Sequence, residues 1–170
     1  MSSPLAVYKL IILYLLDKTS GEIAMDRLSS FLLEKGYVNF VSLMETYAQI
    51  EESGLVSTRV SGDRCFYSIT SEGRQTLKLF NGQLGRDIKK QADRFLAGEG
   101  AVIRNEQAVR ADCIPAEGGM YNVVLRVTEG GASVMEIRLQ VPDKALAEEI
   151  CRKWPEKNEQ IYNSLIENLF

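Results

Sequence analysis

One change of rhythm constrains this chain more than any other feature. Up to about residue 97 the apolar residues recur three and four apart; beyond residue 100 they alternate. The first spacing lines one face of a helix and the second lines one face of a strand. The chain should therefore divide into a mostly helical half and a sheet-bearing half. Ala97-Gly98-Glu99-Gly100 is the expected boundary, giving domains at residues 1–97 and 98–170.

In the first half, Ser3 and Pro4 suit a helix start, because proline in the first turn loses no intrahelical hydrogen bond. The helix expected over Pro4–Asp17 has Leu5, Tyr8, Ile12, Leu15 and Leu16 on one stripe. A short strand is expected at Glu22–Ala24. A second helix follows at Asp26–Lys35, with Leu28, Phe31, Leu32 and also Leu33 expected inward and Gly36 as its stop. A third spans Phe40–Ser53, capped by Asn39. Its expected inner stripe is Phe40, Leu43, Met44, Tyr47 and Ile50, with Ser42, Glu45, Thr46 and Gln49 opposite. Leu55–Val60 and Cys65–Thr70 read as two strands joined by the turn Ser61-Gly62-Asp63-Arg64. Thr70 then caps a long helix reaching about Leu96, with breaks expected at Gly82 and Gly85. Its apolar residues Leu77, Phe80, Leu84, Ile88 and Phe95 suit a helix–helix contact, within the chain or between two copies.

The second half reads as an antiparallel meander: a weak strand at Ile103–Ile114, then Tyr121–Thr128 and Met135–Val141, with turns at Gly118-Gly119 and Gly130-Gly131. Tyr121, Val123, Leu125 and Val127 share one strand face; Met135, Ile137, Leu139 and Val141 share another. Two helices should cover that face, at Asp143–Lys153 and Glu156–Phe170, with a break at Trp154-Pro155.

The fold class expected is α+β. An N-terminal winged helix-turn-helix leads through a long connecting helix to a C-terminal three-stranded antiparallel meander covered by two helices. The order helix, helix, helix, strand, turn, strand, helix carries that expectation. It is an arrangement that places a third helix in a DNA major groove and a strand pair near the phosphates. The segment Phe66-Tyr67-Ser68-Ile69-Thr70-Ser71-Glu72-Gly73-Arg74 resembles the joint that follows the wing in PadR-like and MarR-like regulators. A wider resemblance, to a bacterial family known only as a domain of unknown function, runs through residues 10–17, 33–40 and 51–55 and this joint. It continues weakly to Ile161-Tyr162. That resemblance implies a winged-helix protein with a role in transcription.

Charge sharpens and complicates this expectation. Residues 1–97 carry 12 basic and 11 acidic residues, and residues 98–170 carry 8 and 12. DNA affinity depends largely on phosphate neutralisation. Yet residues 40–53 contain no Lys or Arg and three acids, Glu45, Glu51 and Glu52. The residues expected to meet bases are Ser42, Thr46 and Gln49, against the bland alternative of a solvated helix face. Phosphate contacts are expected from Arg59 and Arg64 of the wing, Arg27 and Lys35 of the second helix, and Lys9 or Lys18; for Arg59 and Arg64 the alternative is a charged hairpin that keeps a strand edge from aggregating. The functional expectation is a homodimeric DNA-binding regulator whose partner is double-stranded DNA. Its C-terminal domain would sense a small-molecule effector or fix the dimer. The alternative is a winged helix used for protein–protein contact without DNA.

Other classes are disfavoured. With no histidine, His-dependent triads and HExxH zinc sites cannot form. Neither GxGxxG nor GxxxxGK[ST] occurs, so no enzyme, cofactor or metal is expected. Three scattered cysteines, Cys65, Cys113 and Cys151, read as reduced thiols. The longest early apolar run, Leu10–Leu16, is far shorter than the ~20 residues of a membrane span. Met1-Ser2-Ser3-Pro4 lacks the basic start of a signal peptide. A cytoplasmic protein without membrane attachment is the expectation.

Overall fold

The computed structural model describes residues 3–61 and 63–170; Gly62, in the expected wing turn, and Met1 and Ser2 lie outside the described residues. Among the described residues the chain is mixed α+β, with six α-helices and two three-stranded sheets. It forms two compact units. One takes residues up to Arg59 with Cys65–Ile103; the other takes Val60–Arg64 with Arg104–Phe170.

The first unit is built around α1 (Pro4–Thr19). All seven residues from Leu10 to Leu16 are buried, so this helix is apolar on every side over two turns and forms the middle of the core. The single stripe expected from the sequence understates this; Leu5 and Tyr8 are only half-buried. Then come β1 (Ile23–Ala24), α2 (Met25–Glu34), α3 (Phe40–Glu52), β2 (Val56–Ser61) and β3 (Arg64–Ile69). The sheet order is β1-β3-β2, with Ile23 opposite Tyr67 and Ala24 opposite Phe66 in an antiparallel pair. Gly54 leaves α3 at φ +69°, a conformation a side chain would strain.

Thr70 joins sheet to helix. Its hydroxyl donates to the Gly54 carbonyl at 2.6 Å and accepts from the Gly73 amide at 3.1 Å, capping α4 (Ser71–Phe80). The expected long helix breaks at a 3-10 turn, Asn81–Gln83, and restarts as α5 (Arg86–Ala108). Leu77 and Leu84 are buried, and Ile88 and Phe95 pack on the same core, so most of that apolar row serves contacts within the chain. The 97–100 stretch, expected as a connector, is helical; the two units part after Ile103, inside α5. Gly98 weakens a helix by about 1 kcal/mol. Against that, Phe95 lies 4.9 Å from the Phe31 ring, Ile103 is buried and Glu99 pairs with Arg27 at 2.8 Å.

The second unit holds β4 (Val109–Pro115), β5 (Tyr121–Glu129) and β6 (Ala132–Val141) as an antiparallel sheet in that order. Residues 103–108, expected to begin its first strand, belong to α5. One continuous helix, α6 (Lys144–Leu169), replaces the two expected. Pro155 does not break it because the neighbouring turns are anchored. Cys151 and Trp154 are buried, and the Trp154 indole donates to the Arg126 carbonyl at 3.2 Å. Asn158 also donates its side-chain amide to the carbonyls of Trp154 and Pro155 at 3.0 and 2.9 Å. The core consists of Ala111, Val123, Leu125, Met135, Val141, Ala147, Cys151 and Trp154. Leu139, expected inward, is 42% exposed. No helix among the described residues is long and apolar enough to cross a membrane.

Candidate nucleic-acid interface

The rotation of α3 decides which side chains it offers. Val38 before the cap and Leu43 in the second turn are both buried, as in a hydrophobic staple. The Asn39 side chain accepts from the Ser42 amide at 2.9 Å. These anchors set the helix so that Leu43, Thr46, Tyr47 and Ile50 face inward. The outward line is Val41, Glu45, Ala48 and Glu52, with Ser42 and Gln49 half-buried at its flank.

Two expectations change. Thr46, expected on the outer face, is 0% exposed, and its hydroxyl donates to the Ser42 carbonyl at 2.7 Å. A buried threonine satisfied by its own helix cannot reach a base. Phe40, expected inward, is 64% exposed, with Val41 at 72%. The physical reason is the rotation set by Val38 and Leu43, whose burial turns the Phe40 side of the first turn outward. Sequence reasoning therefore missed Phe40 and Val41 as the outward residues of the first turn. The Asn39 cap, read correctly, fixes where the helix begins and not which of its sides turns inward.

Inside α3, the Tyr47 ring stacks on Tyr67 at 5.1 Å and 10°. The Tyr47 hydroxyl lies 3.0 Å from Ser29 Oγ, and burial pushes its pKa up to about 12. The Tyr67 hydroxyl donates to the Glu51 carboxylate. Burial, and then that carboxylate, hold the Tyr67 proton well above the ordinary tyrosine range. Glu51, one of the three acids, is thus tied into the fold. Burial, followed by the charge of Glu51, also raises Cys65, which keeps it a thiol and not a reactive thiolate.

The arginines of the strand pair are engaged. Arg59 in β2 donates to both oxygens of Glu22, at 3.1 Å to Oε1 from Nε and 2.9 Å to Oε2 from Nη2. Its guanidinium lies 4.6 Å from the Phe66 ring centre. Arg64 in β3 pairs with Glu106 at 3.0 Å. An ion pair of this partly exposed kind is worth about 0–1 kcal/mol, so a phosphate could displace Glu106. Releasing Arg59, bidentate and stacked with only 17% of its side chain exposed, costs more. Lys35, at the C-cap of α2, is exposed. The α2–α3 turn therefore brings Lys35 close in sequence to Phe40, Val41 and Ser42, at the start of α3. Gln49 lies two turns further on.

Among the described residues no group of three or more His, Cys, Asp or Glu could hold a metal ion. A family model described as Domain of unknown function (DUF4364) matches residues 8–169. No curated protein and no solved structure matches.

Proposed function

The chain belongs to that family, and we propose that its first unit is a winged helix-turn-helix that binds double-stranded DNA to regulate transcription. The observation that carries the proposal is the element order α1-β1-α2-α3-β2-β3 with the sheet order β1-β3-β2. In that arrangement α3 is the groove-entering helix and β2–β3 the wing. Its first turn offers Phe40 and Val41 to thymine methyl groups. Glu45 is placed to accept from the cytosine amino group, and Gln49 to pair with adenine. Lys35 and Arg64 supply phosphate contacts. We propose that the molecule acts as a homodimer, which doubles the modest cationic contribution of each copy. The second unit carries effector sensing or the dimer contact.

Selection from a randomised duplex library, using the full chain at low salt, tests this. The proposal expects an enriched motif. It expects Gln49→Ala or Val41→Ala to change that motif, and Lys35→Ala to weaken all sequences alike and flatten the salt dependence. Folded protein that enriches nothing would refute it. A second reading, a winged helix used for protein contact, is favoured by one specific observation. The exposed residues of α3 are Phe40, Val41, Glu45, Ala48, Glu51 and Glu52, apolar and acidic with no cation among them. A partner retained from native extract after nuclease treatment, and lost on Val41→Ala or Glu45→Lys, would favour that reading.

A further inference from the structure

The second unit contains a cleft of about 500 Å³ that none of the preceding roles uses. It lies between the last turn of α5, the start of β4, the hairpin end of β5–β6 and the middle of α6. Its size falls within the ~300–1,000 Å³ of small-molecule sites. Met135 is buried in its lining, and Val127 and Val109 pack against the same core. Tyr162 and Val134, 38% and 42% exposed, stand at its sides.

The charged lining is one-sided. Its only titratable carboxylates, Glu129 and Glu159, are acceptors, and among the described residues no Lys or Arg lines the cleft. Of the neutral groups, Thr128 and Asn158 are biased the same way, whereas the Asn105 amide and the Tyr162 hydroxyl carry donors as well. Thr128 spends its hydroxyl proton on the Ala108 carbonyl at 3.4 Å, leaving oxygen lone pairs. Asn158 commits its side-chain NH2 to the Trp154 and Pro155 carbonyls, leaving Oδ1 as an acceptor. An anion would meet carboxylates here with no cation to offset them. A cation with apolar substituents would meet aliphatic walls, an aromatic ring and an acceptor rim.

We propose that this cleft binds a small lipophilic cation, such as an aryl-substituted ammonium or phosphonium. The inference gives the effector-sensing role a site and a ligand class, and it rests on that role only for its regulatory meaning. Binding is measured without DNA, so failure here leaves the DNA reading standing, and the converse holds too.

The experiment is isothermal titration of the full chain with tetraphenylphosphonium and, separately, with tetraphenylborate, which has the same shape and the opposite charge. The cleft should bind the phosphonium saturably at one site per chain and the borate at least tenfold more weakly. Glu129→Gln and Glu159→Gln should each lower phosphonium affinity about twofold to fivefold, as expected for a partly exposed charge contact. Tyr162→Ala should lower it by a similar factor. All three residues are exposed, and an unchanged Trp154 emission maximum verifies that each variant is folded. Absence of saturable phosphonium binding, equal binding of the borate, or full affinity in the Glu129→Gln/Glu159→Gln double variant would each overturn the proposal.

Discussion

Replacing Gly73 with alanine should destabilise the first unit, although alanine is the better helix former. Gly73 sits in the first turn of α4, where an added Cβ would lie 2.1 Å from the Leu55 carbonyl oxygen and 2.8 Å from Ile69 Cγ1. The first contact is with backbone, and that oxygen already accepts from the Thr70 amide at 3.1 Å. Relief requires moving either β2 or the start of α4, which weakens the Thr70 joint as well. Overpacking costs about 1–3 kcal/mol and a strained hydrogen bond about 1 more, against a propensity gain of about 1 kcal/mol. The net loss is about 2 kcal/mol, which for a chain of this size lowers Tm by roughly 4–8 °C. Gly98→Ala is the matched control. Gly98 lies inside α5 with nothing within 4 Å of an added Cβ, so that variant should gain up to about 1 kcal/mol. Thermal melts followed by far-UV circular dichroism measure both. If Gly73→Ala matches or exceeds the wild type, the close approach of Leu55 is not what makes glycine necessary in the joint.

Trp154→Phe removes the donor to the Arg126 carbonyl and leaves a buried gap, so it should cost about 1–3 kcal/mol. Hydrogen exchange should localise the loss to β5 and α6, and a loss centred on α1 would contradict this. Pro155→Ala restores an amide that can pair with the Cys151 carbonyl and should raise stability by about 1 kcal/mol or more; lowered stability in urea unfolding would show that the proline is favoured where it sits. Tyr47 keeps its proton up to about 12 against an ordinary 10.0. The folded state thus binds that proton more tightly than the unfolded chain, so its contribution is whole below about pH 10 and declines as pH rises toward 12. Urea midpoints should fall across that window, and less steeply in Tyr47→Phe; equal slopes would refute the assignment.

Much of the fold was legible because local chemistry and packing agree. Asn39, Thr70 and the glycine pairs at 118–119 and 130–131 mark the caps and turns they were expected to mark. The misreadings lie where long-range packing outweighs a local signal. Pro155 signals a break, but Trp154 is pinned to β5 across the sheet. Gly98 and Gly100 signal a linker, but Phe95 and Ile103 bury the turns around them. The candidate interface was less legible still. Spacing gives the residues of α3 that share a face, but its rotation is fixed by Val38 and Leu43, and one residue of rotation exchanges Ser42, Thr46 and Gln49 for Val41, Glu45 and Ala48 on the outward line. That Arg59 and Arg64 are held by Glu22 and Glu106 could not be read from sequence, because those partners lie 37 and 42 residues away.

The outer side of α3 and the strands β2 and β3 are the surface proposed to contact DNA. Hydrogen exchange of the full chain, with and without saturating duplex at low salt, tests this directly. Duplex binding should slow exchange at the start of α3, from residue 39 onward, and in β2–β3. Protection confined to other elements, or no change anywhere with the protein folded, would contradict it.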